Sequence, residues 1–226
     1  MNTKHTLFAL AAFAAASVSA SAGTFASITV DGNISDWDAI DPITLSFNNV
    51  TGGGLDIISV KLANDDTRLY ALVTFETAVN PNNPDGGGEG PTLYFGIDRD
   101  QNVNTGFNVF GVNRTGIEAA WRNDEGIDVN GGNLSANAAI APYYTVTTTQ
   151  EISVSLTTLL ADGTTSVFGG AGSSFDFTFY TSGNTPFDEL LTGSYTIAAA
   201  TVPEPSTVAA LAGLGVLGLA AARRRR

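Results

Sequence analysis

The chain has 226 residues, with 22 Asp+Glu against 10 Lys+Arg, 25 glycines, one histidine (His5) and no cysteine. A Ser-His-Asp or Cys-His nucleophile, a His/Cys zinc site, a disulfide staple and a histidine- or cysteine-ligated haem therefore lack their residues beyond the first turn of the chain. Residues 23–202 hold 21 acidic and 5 basic side chains (Lys61, Arg68, Arg99, Arg114, Arg122), a net charge of −16 that repels phosphate backbones and excludes nucleic acid as an expected partner.

In chain order, Lys4 precedes an apolar stretch at 7–16 and the small-residue pattern Ala20-Ser21-Ala22. This reads as a signal peptide at 1–22 cut by signal peptidase after Ala22, so the chain is expected to cross the inner membrane. Apolar residues then recur with a period near two, the half-buried strand pattern, at 27–30, 43–47, 56–62, 68–76, 93–98, 116–122, 143–148, 151–156, 175–179 and 195–198. Asp31-Gly32, 51–54, 64–67 and Asp162-Gly163 supply turns, and the glycine-rich stretch 80–90 reads as a surface loop. No amphipathic helix and no internal repeat is visible. Strands with one wet face hide the other by packing sheet on sheet. The expectation is an all-β, jelly-roll-type sandwich of roughly nine or ten strands over 23–180, with a last strand and linker at 181–201.

Four passages carry a resemblance. Residues 28–37 read Ile-Thr-Val-Asp-Gly-Asn-Ile-Ser-Asp-Trp, 63–71 Ala-Asn-Asp-Asp-Thr-Arg-Leu-Tyr-Ala, 95–107 Phe-Gly-Ile-Asp-Arg-Asp-Gln-Asn-Val-Asn-Thr-Gly-Phe, and 151–159 Glu-Ile-Ser-Val-Ser-Leu-Thr-Thr-Leu. In order and spacing the chain resembles family 9 carbohydrate-binding modules and related DOMON-like β-sandwiches over most of 26–180. The resemblance implies a sandwich fold and a binding role, without naming a ligand. Trp37, inside the opening motif, is expected to pack against the sandwich.

In the third passage Asp98, Asp100, Asn102 and Asn104 offer hard oxygen donors at alternating positions, and Gly106 lets the chain turn back, which suits a calcium shell. The spacing is not that of an EF-hand, because Val103 and Val109 occupy the positions of its glycine and bidentate glutamate. The resemblance implies a structural calcium site at these four residues; an Asx-rich turn without metal fits the same pattern. Trp121, Tyr143 and Tyr144 are candidate sugar platforms, since flat rings stack on the C–H faces of sugars. Family 9 modules clasp sugar between paired aromatics, and no such pair aligns here. A carboxylate-based glycoside hydrolase would draw on Glu76, Glu118 or Glu151, whose alternative role is solvation of outward sheet faces; alternation favours that role for Glu151, and no catalytic residue is assigned.

At the C-terminus, Pro203-Glu204-Pro205 is followed by the uncharged stretch from Thr207 to Ala222 and by Arg223, Arg224, Arg225 and Arg226. As a helix the stretch spans roughly 24 Å, enough to cross a bilayer core of about 30 Å with snorkelling arginines or local thinning. The arginines stay in the cytoplasm and leave the acidic domain outside. Residues 202–226 resemble a PEP-CTERM sorting signal, which implies a Gram-negative bacterium, recognition and cleavage by an exosortase, and release to the cell surface or an extracellular polysaccharide matrix. A permanent tail anchor is the alternative. The sequence thus describes an exported, non-catalytic β-sandwich associated with extracellular polysaccharide, or a purely architectural surface protein of the same fold.

Overall fold

Alternating apolar residues build the two sheets that the sequence leads one to expect. The computed structural model describes residues 23–43, 56–80, 92–107, 116–122, 125–142, 145–182 and 190–200. The signal peptide at 1–22, the candidate strand at 43–47 beyond Ile43, all but Asn80 of the glycine-rich loop, Tyr143, Tyr144, and the tail with its sorting motif and membrane anchor lie outside the described residues. The strands are β1 (Ile57–Asn64), β2 (Arg68–Val79), β3 (Thr92–Asp98), β4 (Ala119–Arg122), β5 (Glu125–Asp128), β6 (Ala138–Ala141), β7 (Thr147–Ser155), β8 (Ser174–Ser182) and β9 (Leu190–Thr196). They form a four-stranded sheet ordered β1-β2-β7-β6 and a five-stranded sheet ordered β5-β4-β3-β8-β9. Every ladder between them is antiparallel. Helical structure among the described residues is limited to the 3-10 turns Ile34–Trp37 and Ser135–Asn137, and no described helix is long and apolar enough to cross a membrane.

The inner faces meet in one core. Phe175, Phe177 and Phe179 of β8, Leu93, Phe95 and Ile97 of β3, Ile152 and Val154 of β7, and Leu69, Ala71, Val73 and Phe75 of β2 all point into it. Phe95 and Phe179 stack with ring centroids 4.6 Å apart. Each large side chain buried there contributes on the order of 1.5–3 kcal/mol.

The outer faces are drier than alternation implies. Residues 27–30, expected as a strand, instead belong to a strap that crosses the outer face of the four-stranded sheet. Its Ile28, Trp37 and Ile40 pack on Ala63, Tyr70 and Leu72. Beneath the strap lies Glu151, expected in solvent and found 0% exposed. Its carboxylate accepts hydrogen bonds from Trp37 Nε1 (2.9 Å), Gly32 N (2.7 Å) and Asp31 N (3.2 Å). Across the sheet, Lys61 pairs with Leu72 and Leu72 with Glu151, and the Lys61 ammonium donates to the Trp37 carbonyl at 2.9 Å. A buried carboxylate is tolerated only when such donors replace its water. The opening motif is thus a clasp that closes a third layer. On the far side of the five-stranded sheet, Tyr94 and Tyr180 stack 4.5 Å apart at 5° under a smaller cluster with Ile117, Ala120 and Phe107.

Strand direction gives the sandwich two distinct ends. The ladders put Asn64 beside Leu69, Arg68 beside Ser155, Asp98 beside Asp176, Ala119 beside Asp128, and Ser174 beside Thr196. The connection from β7 to β8 ties these strand ends together, with Arg99 Nε donating to the Ser166 carbonyl at 3.0 Å and the Ala161 N–H donating to Asp128 Oδ2. Asn64 knots the same end. Its Oδ1 accepts from the Tyr195 hydroxyl and the Ala198 N–H (2.8 Å each), and its Nδ2 donates to the Asp65 and Ala198 carbonyls (3.0 Å each). Its backbone pairs with Thr24 and Ala26.

Candidate metal centre

Asp98 closes β3 on the outer face, in phase with Tyr94 and Gly96, and Glu118 enters β4 with its N–H bonded to the Ile97 carbonyl at 2.9 Å. The loop after β3 brings Asp100 to the same place. Carboxylate oxygens of Asp98, Asp100 and Glu118 all lie within 4.8 Å of one another. Asp98 is 2% exposed and Glu118 7%, whereas Asp100 faces solvent.

The loop's own hydrogen bonds satisfy part of this charge. The Asn102 N–H donates to Asp98 Oδ1 and Asp100 Oδ1 (3.1 Å each), the Thr105 hydroxyl to Asp100 Oδ1 (3.0 Å), and the Arg99 N–H to Glu118 Oε2 (2.8 Å). Asp98 Oδ2 is buried and has no hydrogen-bond partner among the described residues. Burial pushes the Asp98 carboxyl up to about 6; the Asp100 and Asp176 carboxylates add to the rise and the Asn102 N–H opposes it. Glu118 is likewise raised by burial, offset by the Arg99 N–H and reinforced by Asp100 and Asp98. A buried, unpaired oxygen beside two further carboxylates, one of them open to solvent, is the environment that a hard divalent cation relieves.

Two glycines make the approach sterically feasible. Gly116 has φ +69°, and a Cβ there would overlap Asp98 Oδ2 and sit 2.7 Å from the Asn102 carbonyl. Gly106, at φ +70°, turns the chain back against the Ile117 carbonyl.

The structure redistributes the residues that the sequence singled out. Asp98 and Asp100 belong to the cluster. The side chains of Asn102 and Asn104 do not turn to it: Asn102 Oδ1 accepts from the Asn104 N–H (3.2 Å) and Asn104 Nδ2 (3.3 Å), an Asx turn on the surface. Glu118 takes their place, and what marks it in the sequence is a lone carboxylate amid Ile117, Ala119, Ala120 and Trp121. Trp121, expected as a sugar platform, is corrected: it is 1% exposed, on the inner face of β4, packed on Phe95 and Phe168, with its indole N–H on the Leu134 carbonyl at 3.4 Å. Every aromatic ring among the described residues is buried or half-buried. Of the three glutamates, Glu76 is exposed, Glu118 belongs to the cluster, and Glu151 has both oxygens bound by the strap.

With the geometry in place, comparison with known proteins adds two findings. Residues 201–226 match the family described as the PEP-CTERM protein-sorting motif. The chain carries a PEP-CTERM sorting motif. That motif implies export and sorting to the cell surface. Among solved structures, a family 9 carbohydrate-binding module from Caldicellulosiruptor kristjanssonii in complex with cellotriose is similar at 12% identity and TM-score 0.50, over 80% of this chain and 96% of that one. A family 9 module from the same organism in complex with glucose matches at 10% identity and TM-score 0.47, over 81% of this chain and 98% of that one. At such identity the first likeness is one of fold, and it agrees with the two-sheet architecture above. No curated protein matches this chain.

Proposed function

We propose that this chain is a non-catalytic, polysaccharide-associated module, freed from its membrane tail by an exosortase and pinned by calcium between Asp98, Asp100 and Glu118. The reading is carried by the union, in one chain, of the sorting motif at 201–226 with a sandwich shaped like the module solved with cellotriose. The unpaired Asp98 Oδ2 supports the cation. The three carboxylates would hold it, and what a calcium ion supplies there is a structural crosslink between the end of β3, its loop and the entry to β4. Tyr143 and Tyr144 remain the proposed sugar contacts. A glycan array on the exported protein, with calcium and with chelator, tests the reading. Binding to a polysaccharide that weakens in the Tyr143→Ala and Tyr144→Ala variants supports it. Silence across the array in both conditions leaves the second reading, an architectural surface protein. That reading is favoured by one observation, the absence of an exposed aromatic ring among the described residues.

A further inference from the structure

Among the described residues Gln101 is the one non-glycine residue with a positive φ, +55°. In that left-handed region a Cβ crowds the backbone, which glycine escapes and which the short side chain of asparagine offsets by bonding locally; glutamine has neither relief. The turn is nevertheless required there. Asp98 ends β3, and the Asn102 N–H must come back to Asp98 Oδ1 and Asp100 Oδ1 (3.1 Å each), so the chain reverses at residue 101. A strained residue of this kind persists only where neighbouring structure holds it.

The side chain supplies the hold. Gln101 Nε2 donates to Asp176 Oδ1 at 2.9 Å, and the Ser194 hydroxyl donates to the same oxygen. Asp176 of β8 is the ladder partner of Asp98, and Ser194 of β9 is the ladder partner of Asp176, so two strands of the sheet fix the acceptor. The loop is therefore fastened beside the carboxylate cluster and not within it, since the oxygens within 4.8 Å of one another belong to Asp98, Asp100 and Glu118. Of these, Asp98 is 2% exposed and its Oδ2 has no partner among the described residues. We propose that Gln101 is a latch: bonded to Asp176, it holds the left-handed turn that sets Asp100 against Asp98 and Glu118, and so tightens calcium binding by ordering the loop before the ion arrives. The inference rests on the proposed reading of the three carboxylates as a calcium site. Gln101 is a positioning residue that acts through the loop. A shell ordered in advance gives up less freedom on binding.

Calcium titration of the full-length chain in detergent, stripped beforehand with chelator and followed by calorimetry, tests the latch. Gln101→Ala should raise the calcium Kd about 3–10-fold, the worth of one net hydrogen bond. Its Tm in chelator should stay within about 2 °C of the parent, because the freed turn relaxes its strain as it loses the bond. Gln101→Gly, which accepts φ +55° without strain but lacks the arm, should also bind more weakly. In an Asp176→Ala background, Gln101→Ala should change the Kd no further, since the latch is already open. A parent that binds calcium while Gln101→Ala and Gln101→Gly bind it equally well overturns the latch and leaves the calcium site standing. An undiminished effect of Gln101→Ala in the Asp176→Ala background, or a chelator Tm lowered by more than about 5 °C, overturns it as well, by placing the role of Gln101 elsewhere or in the fold itself. A parent that takes up no calcium overturns both the latch and the site.

Discussion

Replacing Glu151 tests whether the strap is a clasp or merely a covering. In Glu151→Ala the Trp37 indole, Gly32 N–H and Asp31 N–H lose their acceptor together. The buried Trp37 indole left unpaired costs about 1–3 kcal/mol, and the N–H groups of Asp31 and Gly32, on exposed residues, lose less because water can reach them. The total has a ceiling, because the strap can leave the sheet and give its donors to water at the cost of exposing Ile28, Trp37 and Ile40, each worth about 1.5–3 kcal/mol less the ordering entropy regained. The expected loss is therefore about 2–4 kcal/mol for Glu151→Ala. Glu151→Gln, which keeps the shape but turns an amide NH2 toward at least one of the donors, should lose about 1–3 kcal/mol. Urea unfolding followed by tryptophan fluorescence separates the two. Glu151→Ala should also show a red-shifted native baseline from a wetted Trp37 and a smaller m-value, since its folded state already exposes strap surface. Both variants within about 0.5 kcal/mol of the parent, with unshifted emission, would refute the clasp.

Further consequences can be checked alongside. Calcium at about 100 times its Kd should stabilise the domain by roughly 2.7 kcal/mol, and Glu118→Gln or Asp98→Asn should abolish that rise in Tm; an equal rise in those variants removes the site. Gly116→Ala forces a Cβ onto Asp98 Oδ2 at φ +69° and should cost at least about 1 kcal/mol by denaturation while blunting the calcium response. For Asp65, burial raises the carboxyl, but hydrogen bonds from Tyr70, Thr67 and Arg68 outweigh it and bring it from 3.8 to about 2. A depressed folded value means stability that is present above 3.8 and lost as pH falls toward about 2, so the Tm deficit of Asp65→Ala should shrink over that window and would count against a stabilising role for these hydrogen bonds if it grew.

Much of the architecture could be read from residue order alone, for reasons that β8 makes plain. In Phe175, Phe177 and Phe179 a period of two and a large apolar payload coincide, so face and burial are fixed together. β5 and β6, 4 residues each, are too short for alternation to register, and β6 reads Ala-Ala-Ile-Ala. Glu151 shows the deeper limit: alternation assigned its face correctly, but what covers a face is decided by a strap more than a hundred residues earlier in the chain. The same blindness affected the cluster. Asp98 and Asp100 announce themselves by local spacing, whereas Glu118 joins them only because β3 and β4 are neighbours, with Ile97 opposite Ala119. The burial of Trp121 escapes the sequence because a ring at a strand end faces inward or outward by register, and register is a pairing property.

The account turns on delivery to the surface, and the intact mass of the protein recovered there tests it most directly. A mature chain that begins at Gly23 and has lost the Arg223 to Arg226 cluster is the predicted result. Surface material whose mass still includes Arg226, or a chain found only in the cytosol with its first 22 residues attached, would contradict it.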